Sequence, residues 1–596
     1  MAGYLKHNVT RQDQPDGTII LGSGLDLGPV VRDTNAWLHH WADVEPARVF
    51  IAQRSGAGWH SLTYLEMLEA TRAVAASLLA RGIGRGKPVA VLSGPSLNHA
   101  VLMQAAQYVG APIVPLAEQY SLIPEAHVRL QYCIEKVQPA MVYAEDGTAY
   151  GAALDLPCLD GLQKVVGTNP GAGVSEFDAL LQGNAGSDLE AAYAAITPDT
   201  LAKILFTSGS TSDPKGVPTT QGMLCVNQAQ YLASLPFLGV RHHTILDWLP
   251  WNHVFAGNSD FNTILSNGGS LYLDGGKPVK GLFEQTLENL KLVNTTLSFN
   301  VPIAYSLLVQ AMREDAELRS SFFSDLDMIF YAGASLPADI WSALEDMSRA
   351  ETGRVPMMTS SWGMTETAPA SIIHYQGGAS SGMIGVPMPE QQAKLIPEQP
   401  ERYELRVRGP NIMAGYLNDP SKNAEVFDED GFFITGDAVR FVDPDDVTQG
   451  VLFDGRISDE FKLMTGTWVQ ASRLRLTALS ELAGLVQDVV VTGAGKSEIG
   501  LLIFAAPALG LTGDGNGAVA DADYFAKIAD VMGRMAEHAT GSSNRIVRAL
   551  VIDGPPSVGD GEITAKGSLN NRTILLRRAA LVDRLYDDVD PAVIRV

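Results

Sequence analysis

The sequence predicts an α/β fold in which two α/β lobes and a β-rich subdomain precede a separate set of helices and strands. Three observations predict it. Short apolar runs alternate with helix-spaced segments twice, the texture changes to brief runs between Gly, Pro and Asp after about Gly385, and new elements begin at Arg456.

The first alternation runs through the apolar stretch 88–94 (PVAVLSG), helical spacing over 99–109, the stretch 111–116 (APIVPL), helical spacing over 126–137 and the stretch 140–143 (AMVY). Strands and helices taking turns build a parallel sheet covered by helices. The pattern returns at 297–301, 305–313, 328–331, 338–349 and 356–360. Two such lobes place ligands beyond the carboxyl ends of their strands. The runs 405–407, 432–434, 439–442 and 451–453 then read as the strands of the β-rich subdomain. The apolar run 501–512 reads as a buried strand, well short of the roughly 20 residues that span a bilayer. The Gly/Ala/Asp stretch 510–522 reads as an exposed loop. The main boundary falls near 454–459, dividing the chain into 1–455 and 456–596.

The chain has 596 residues, 46% hydrophobic and 18% charged, a globular composition with room for more than one core. Its 43 basic and 67 acidic residues give a formal charge of −24, which repels nucleic acid and anionic lipid and leaves neither as an expected partner. Anionic substrates therefore require locally concentrated positive charge. Cys133, Cys158 and Cys225 form no CxxC pair, which suits a reducing cytoplasm and argues against a zinc site. The polar N-terminal stretch lacks the apolar segment of a signal peptide. The pairs His39-His40 and His242-His243 invite a metal reading, but adjacent side chains in a strand point apart, so they read as structural.

Four motifs carry chemistry. The first is TSGSTSDPKG at 207–216, after the strand-like run 204–206 and before a helix-like segment near Thr220. Thr207, Ser208, Gly209, Ser210 and Thr211 supply short donors and free N–H groups, and Lys215 supplies a cation, as a phosphate cradle requires. A surface turn is the ordinary alternative. The second is SWGMTE at 361–366, at the end of a strand, where Thr365 can bind a phosphate oxygen and Glu366 can hold Mg²⁺. A Thr-Glu pair alone more often caps a helix. The third joins Tyr416 and GFFITGD at 431–437 to Asp454-Gly455-Arg456. Asp437 is suited to chelating ribose hydroxyls, although Gly-Asp by itself is a turn, and Arg456 either supports the nucleotide or pairs with an acid. The fourth is GEITAKGSLN at 561–570, a Gly-bounded loop carrying Lys566, which in isolation reads as a solvated lysine.

In this order the motifs resemble the adenylate-forming superfamily of acyl-CoA synthetases, luciferases and peptide-synthetase adenylation domains. FKLMTGTWV at 461–469 and the ending 562–570 resemble its feruloyl-CoA synthetase branch, as does the stretch through Gly94-Pro95-Ser96 and Tyr120-Ser121-Leu122. The resemblance implies a large N-terminal domain and a small mobile α+β C-terminal domain. It also implies that ATP, Mg²⁺ and coenzyme A act with a carboxylic acid, ferulate or a related hydroxycinnamate. A homo-oligomer is compatible with it. Thr207 to Lys215 would hold the β- and γ-phosphates, Thr365 the α-phosphate and Glu366 the metal. Gly333, Ala334 and Ser335 would form the adenine-side turn, with Trp362, Gly363 and Met364 flanking the nucleotide. Asp437 and Arg456 would hold ribose, and Lys566 would bridge α-phosphate and carboxylate. His253, Phe255, Val301, Tyr331, Gly333 and Gly363 would line the acyl site, with Lys462, Gly466 and Trp468 serving the thioester step.

The chain departs from the common pattern in three places. Ser212 replaces a glycine, Lys566 is followed by Gly-Ser-Leu, and one extra residue lies between Arg456 and Gly466, so the pivot is Ser458 or Asp459. Trp248, Trp251, Phe255 and Trp362 suit an aromatic acid or a core equally. Two rivals remain: an adenylating ligase for another aryl or fatty acid, or one transferring to a carrier-protein thiol. A third, of another class, is an inactive nucleotide-binding sensor of the same fold.

Overall fold

The computed structural model describes residues 4–184, 186–207, 214–279, 281–333, 335–506, 509–557, 560–562 and 569–596. Both alternating blocks fold as parallel sheet. In the first, strands Val89–Val91, Ile113–Pro115 and Met141–Asp146 pair in parallel around helices Leu97–Tyr108 and His127–Val137. Ser96 starts the first helix by accepting from the His99 N–H, the usual task of an N-cap serine. The sheet has seven strands, ending at one edge in the antiparallel pair Leu201–Thr207 and Lys215–Thr220. Lys215–Thr220 was not among the sequence expectations. Pro218 suits it to an edge, where a missing N–H costs no ladder bond.

In the second block, Leu297–Asn300, Met328–Tyr331 and Met357–Gly363 pair in parallel, with helices Pro302–Glu314 and Ala338–Thr352 between them. The β-rich part is no separate sheet. It continues this one through antiparallel strands to a total of eleven, and the N-terminal hairpin Val9–Asp13 and Ile19–Ser23 completes the far edge. The runs expected at 432–434 and 439–442 are one strand, Phe433–Phe441, interrupted by a register shift near Gly436. Gly436 has φ +72°, a value glycine adopts without a Cβ penalty. A four-stranded sheet of Thr244–Asp247, Ser270–Leu273, Val49–Ser55 and Gly58–Thr63 accompanies the two larger ones.

Beyond Arg456 a small sheet forms from Val486–Thr492, Ile499–Ala505, Ile546–Ile552 and Val593–Arg595, packed with helices Ala471–Glu481 and Ala522–Glu537. Its apolar clusters draw on residues from 461 onward. The expected strand at 501–512 ends at Ala505, and Leu509 is exposed. Within the expected loop 510–522, Ala518 and Val519 are buried and bridge to neighbouring chain, so that stretch is anchored in its middle. His39 and His40 sit on helix Thr34–Val44 and not on a strand. His243 is tied to the Thr296 hydroxyl at 3.0 Å. Among the described residues no group of three or more His, Cys, Asp or Glu could hold a metal ion, and no helix is long and apolar enough to cross a membrane.

Candidate active site

Two short chains of contacts build the site. Lys215 opens the edge strand directly opposite Thr207. Its ammonium lies 5.1 Å from the centre of the Tyr416 ring. The Tyr416 hydroxyl donates to Glu366 Oε1 at 2.7 Å. Burial, followed by the Glu366 charge, pushes the Tyr416 pKa up, so the phenol keeps its proton and remains a donor. Glu366 is buried in the 3₁₀ turn Thr365–Thr367, which the Met364 N–H closes by donating to Thr367 Oγ1 at 2.9 Å. The Met413 N–H fixes the turn from outside, donating to the Glu366 carbonyl at 2.9 Å.

The second chain is Trp362–Asp437–Arg456. Trp362 Nε1 donates to Asp437 Oδ2 at 2.9 Å, and Arg456 Nε stands 3.3 Å from Oδ1. That approach is a charge contact without hydrogen-bond alignment, so buried Oδ1 keeps no hydrogen bond among the described residues. Burial raises the Asp437 pKa, with Arg456 and then Trp362 opposing it. A buried carboxylate oxygen with spare acceptor capacity suits a hydroxyl donor from a ligand. The Glu366 carboxylate supplies the hard oxygen donor that Mg²⁺ prefers. The residues present therefore fit both a ribose and a magnesium ion.

Around these groups, Gly363 has no room for a side chain, because a Cβ would overlap the Pro369 carbonyl. Gly333 has φ +88°, and its open side faces Val301, whose Cγ1 would lie 3.8 Å from an added Cβ. Val301 follows Asn300, whose Oδ1 accepts from Trp248 Nε1 at 3.0 Å. Ser335 lies near Gly382. Tyr331 turns toward Trp341, with ring centres 5.9 Å apart, whereas Phe330 meets Phe255 at 5.7 Å and Phe299 at 5.3 Å. Strand alternation separates the two, so Phe330 joins the Phe255 side and Tyr331 the helix side. His253 accepts the Phe255 N–H on Nδ1 at 3.3 Å at the start of the π-turn Phe255–Asp260.

Lys462 and Trp468 pair across a two-stranded hairpin, the ammonium 4.7 Å from the indole centre. Gly466 turns that hairpin with φ +82° and nothing within 4 Å of a Cβ. Ser208, Gly209, Ser210, Thr211, Ala334 and Lys566 lie outside the described residues. The structure joins Lys215 to Glu366 through Tyr416 and joins Trp362 and Arg456 through Asp437, and the Glu366 charge acts on Asp437 across the two chains. Sequence reasoning quoted Tyr416 without giving it a task, although it joins Lys215 to Glu366. It missed buried Lys203 and the Arg402–Glu460 ion pair; a lone lysine within an apolar strand was the available signal for the first.

Residues 38–417 match the family of AMP-binding enzymes, and residues 459–590 match the C-terminal domain of AMP-binding enzymes. The chain is 28% identical over 335 residues to a probable 4-coumarate–CoA ligase of Dictyostelium discoideum, covering 55% of this chain and 57% of that protein. It is 28% identical over 401 residues to a feruloyl-CoA synthase of Amycolatopsis sp, covering 65% and 72%. It is also 26% identical over 419 residues to a medium-chain fatty-acid–CoA ligase of Escherichia coli, covering 66% and 68%. Among solved structures, the anthranilate CoA ligase AuaEII in complex with anthranoyl-AMP superposes with a TM-score of 0.74 at 18% identity, covering 93% and 98% of the two chains. ATP-bound MatB from Rhodopseudomonas palustris gives 0.67 at 21%, covering 92% and 99%. At these identities the superpositions carry the fold alone.

Proposed function

Because the chain belongs to the family of AMP-binding enzymes, we propose that it is an ATP-dependent acid–thiol ligase acting on a hydroxycinnamate-type acid and coenzyme A. The observation that carries this reading is the spare Asp437 Oδ1 beside Arg456, close in the sequence of contacts to a Tyr416-held Glu366. A carboxylate oxygen of the acid attacks the α-phosphorus of ATP, and pyrophosphate leaves with the electron pair of the broken P–O bond. The thiol sulfur then attacks the acyl carbonyl, AMP departs, and the thiol proton is released.

The chain's own groups position and neutralise charge. Asp437 accepts a ribose hydroxyl while Arg456 faces the same sugar. Lys215 and the loop 207–215 hold the β- and γ-phosphates, Thr365 the α-phosphate, and Gly333 to Ser335 the adenine side. Glu366 would hold Mg²⁺, which would supply neutralising charge beside the phosphates. Lys566 bridges α-phosphate and carboxylate, and the hairpin of Lys462, Gly466 and Trp468 serves the thioester step. The two units divide at 455/456, in keeping with the two family matches and separate apolar clusters.

An aromatic acid is supported by the cluster of Phe255, Phe299 and Phe330, and by two 28%-identical relatives named for coumarate and ferulate. A substrate panel tests the reading: ferulate, coumarate, caffeate, benzoate and octanoate, each with ATP and CoA. Hydroxycinnamates should release pyrophosphate and form thioesters at the highest kcat/KM. Pyrophosphate release with none of a broad acid set would sink the ligase reading, and thioester formation only on a carrier protein would reassign the acceptor.

The cysteines are spectators in this chemistry. Burial pushes the Cys158 and Cys225 thiols up, away from the thiolate form a nucleophile needs. Replacing Cys133, Cys158 and Cys225 together by alanine or serine should keep turnover within about threefold, the range of ordinary packing losses. An acyl group found on any of them by mass spectrometry would overturn this.

A further inference from the structure

Lys203 is out of place by ordinary rules. It is 1% exposed within strand Leu201–Thr207. Among the described residues it forms no ion pair, and its ammonium donates at 2.6 Å to the Gly257 carbonyl. Burial alone pulls its pKa down to about 7. An unpaired buried lysine is costly, and an apolar side chain of equal length would serve folding better. Residues that break a packing rule in this way are most often retained for function.

The partner carbonyl identifies the task. Gly257 lies inside the π-turn Phe255–Asp260, an uncommon geometry that recurs at functional sites. Three contacts fix it. Its N–H donates to the His253 carbonyl at 2.9 Å, its α-carbon lies so close to the Trp251 carbonyl that a Cβ would overlap, and Lys203 takes its own carbonyl. The adjoining Asn258 and Ser259 carbonyls accept from Gln228 Nε2 at 3.4 and 3.5 Å. Two buried side chains thus hold carbonyls of the turn that presents His253 and Phe255. Beside them, both polar atoms of the buried Asn258 amide have no hydrogen-bond partner among the described residues.

We propose that Lys203 is a positioning residue for the acyl site: by holding the Gly257 carbonyl it sets the π-turn that carries Phe255 and the unpaired Asn258 amide and is bonded back to His253, and so selects an aromatic acid bearing a polar substituent. Lys203 and Thr207 lie on one strand with matching parity, so the strand that orders the acyl wall ends at Thr207. The inference rests on the proposed function for its acyl site.

The test uses Lys203→Met, which keeps length and removes the donor, and Lys203→Gln, which keeps a donor. For Lys203→Met the melting temperature should hold or rise, the KM for a hydroxycinnamate should rise about tenfold or more, and the ATP KM should stay within about twofold. The preference for the hydroxycinnamate over octanoate should fall about tenfold, and Lys203→Gln should recover part of it. A lower melting temperature with unchanged acid KM and preference would show a structural lysine and overturn the proposal. Equal changes in the ATP and acid constants would also overturn it. Hydrogen exchange on the protein without substrates separates this from the ligase reading: amides of 253–260 should exchange faster in Lys203→Met. Unchanged exchange there would sink the proposal even if no acid were turned over.

Discussion

Replacing Glu366 by glutamine is expected to lower pyrophosphate release by about two to three orders of magnitude, the usual cost of losing one preorganised electrostatic group at the reacting phosphate. The substitution keeps volume and keeps an Oε1 that can accept the Tyr416 hydroxyl, which donates at 2.7 Å in the native site. The 3₁₀ turn is held by backbone bonds from Met364 and Met413 that the side chain does not make. The variant should therefore fold with native circular dichroism and lose chiefly its charge toward Mg²⁺. A higher magnesium concentration should restore part of the rate. Tyr416→Phe, which leaves the carboxylate and removes one hydroxyl bond, should cost about tenfold, the lower end of the value of a single hydrogen bond to a charged group. Pyrophosphate release within a few-fold of wild type in Glu366→Gln would remove Glu366 from the metal site.

The second large effect concerns the linker. Proline at Asp459 should leave pyrophosphate release nearly intact and lower acyl-CoA production by about tenfold or more, as expected when a conformational exchange limits turnover. On the proposed function, one pocket would admit Lys566 and later the thiol, so the C-terminal unit would turn between steps. Residues Ile457–Asp459 form a 3₁₀ turn, a conformation whose usual φ of about −50 to −70° overlaps the value proline imposes. The substitution thus favours the arrangement seen here and resists another. The neighbourhood fits a pivot. Ile457 borders an open cleft of about 400 Å³ shared with Ile396, Pro397, Glu404 and Ile434. Immediately beyond it, Glu460 is buried against Arg402, which also holds Glu398 and Asp454. Burial pushes the Glu460 pKa up to about 7, with Arg402 opposing and Glu398 and Asp454 adding to the rise. Rotation about Asp459 would break this anchor. Equal loss of both half-reactions in a folded protein that still binds ATP would count against a hinge at this position.

Sequence alone determined the layered architecture and its order. The strand at 328–331 matches Met328–Tyr331, and the helix expected over 338–349 lies within Ala338–Thr352, because period-2 and period-3.6 apolar spacing are local signals. It also singled out Lys215, Glu366, Trp362, Asp437 and Arg456, since short motifs keep reactive residue types near glycine turns. Only the tertiary structure decided what those residues touch. Tyr416 reaches Glu366 across 50 residues, and Trp362 reaches Asp437 across 75, separations at which spacing carries no contact information. The same applies to the N-terminal hairpin, whose partner strand Gln392–Gln399 lies far along the chain. Strand alternation split Tyr331 from Phe330, a choice that depends on which face the sheet covers. Lys203 marks the limit most clearly. Its sequence neighbours read as plain strand, and only the Gly257 carbonyl, 54 residues away and 2.6 Å distant, explains a cation in an apolar core. Local chemistry is written in the sequence, whereas partners are chosen by long-range packing.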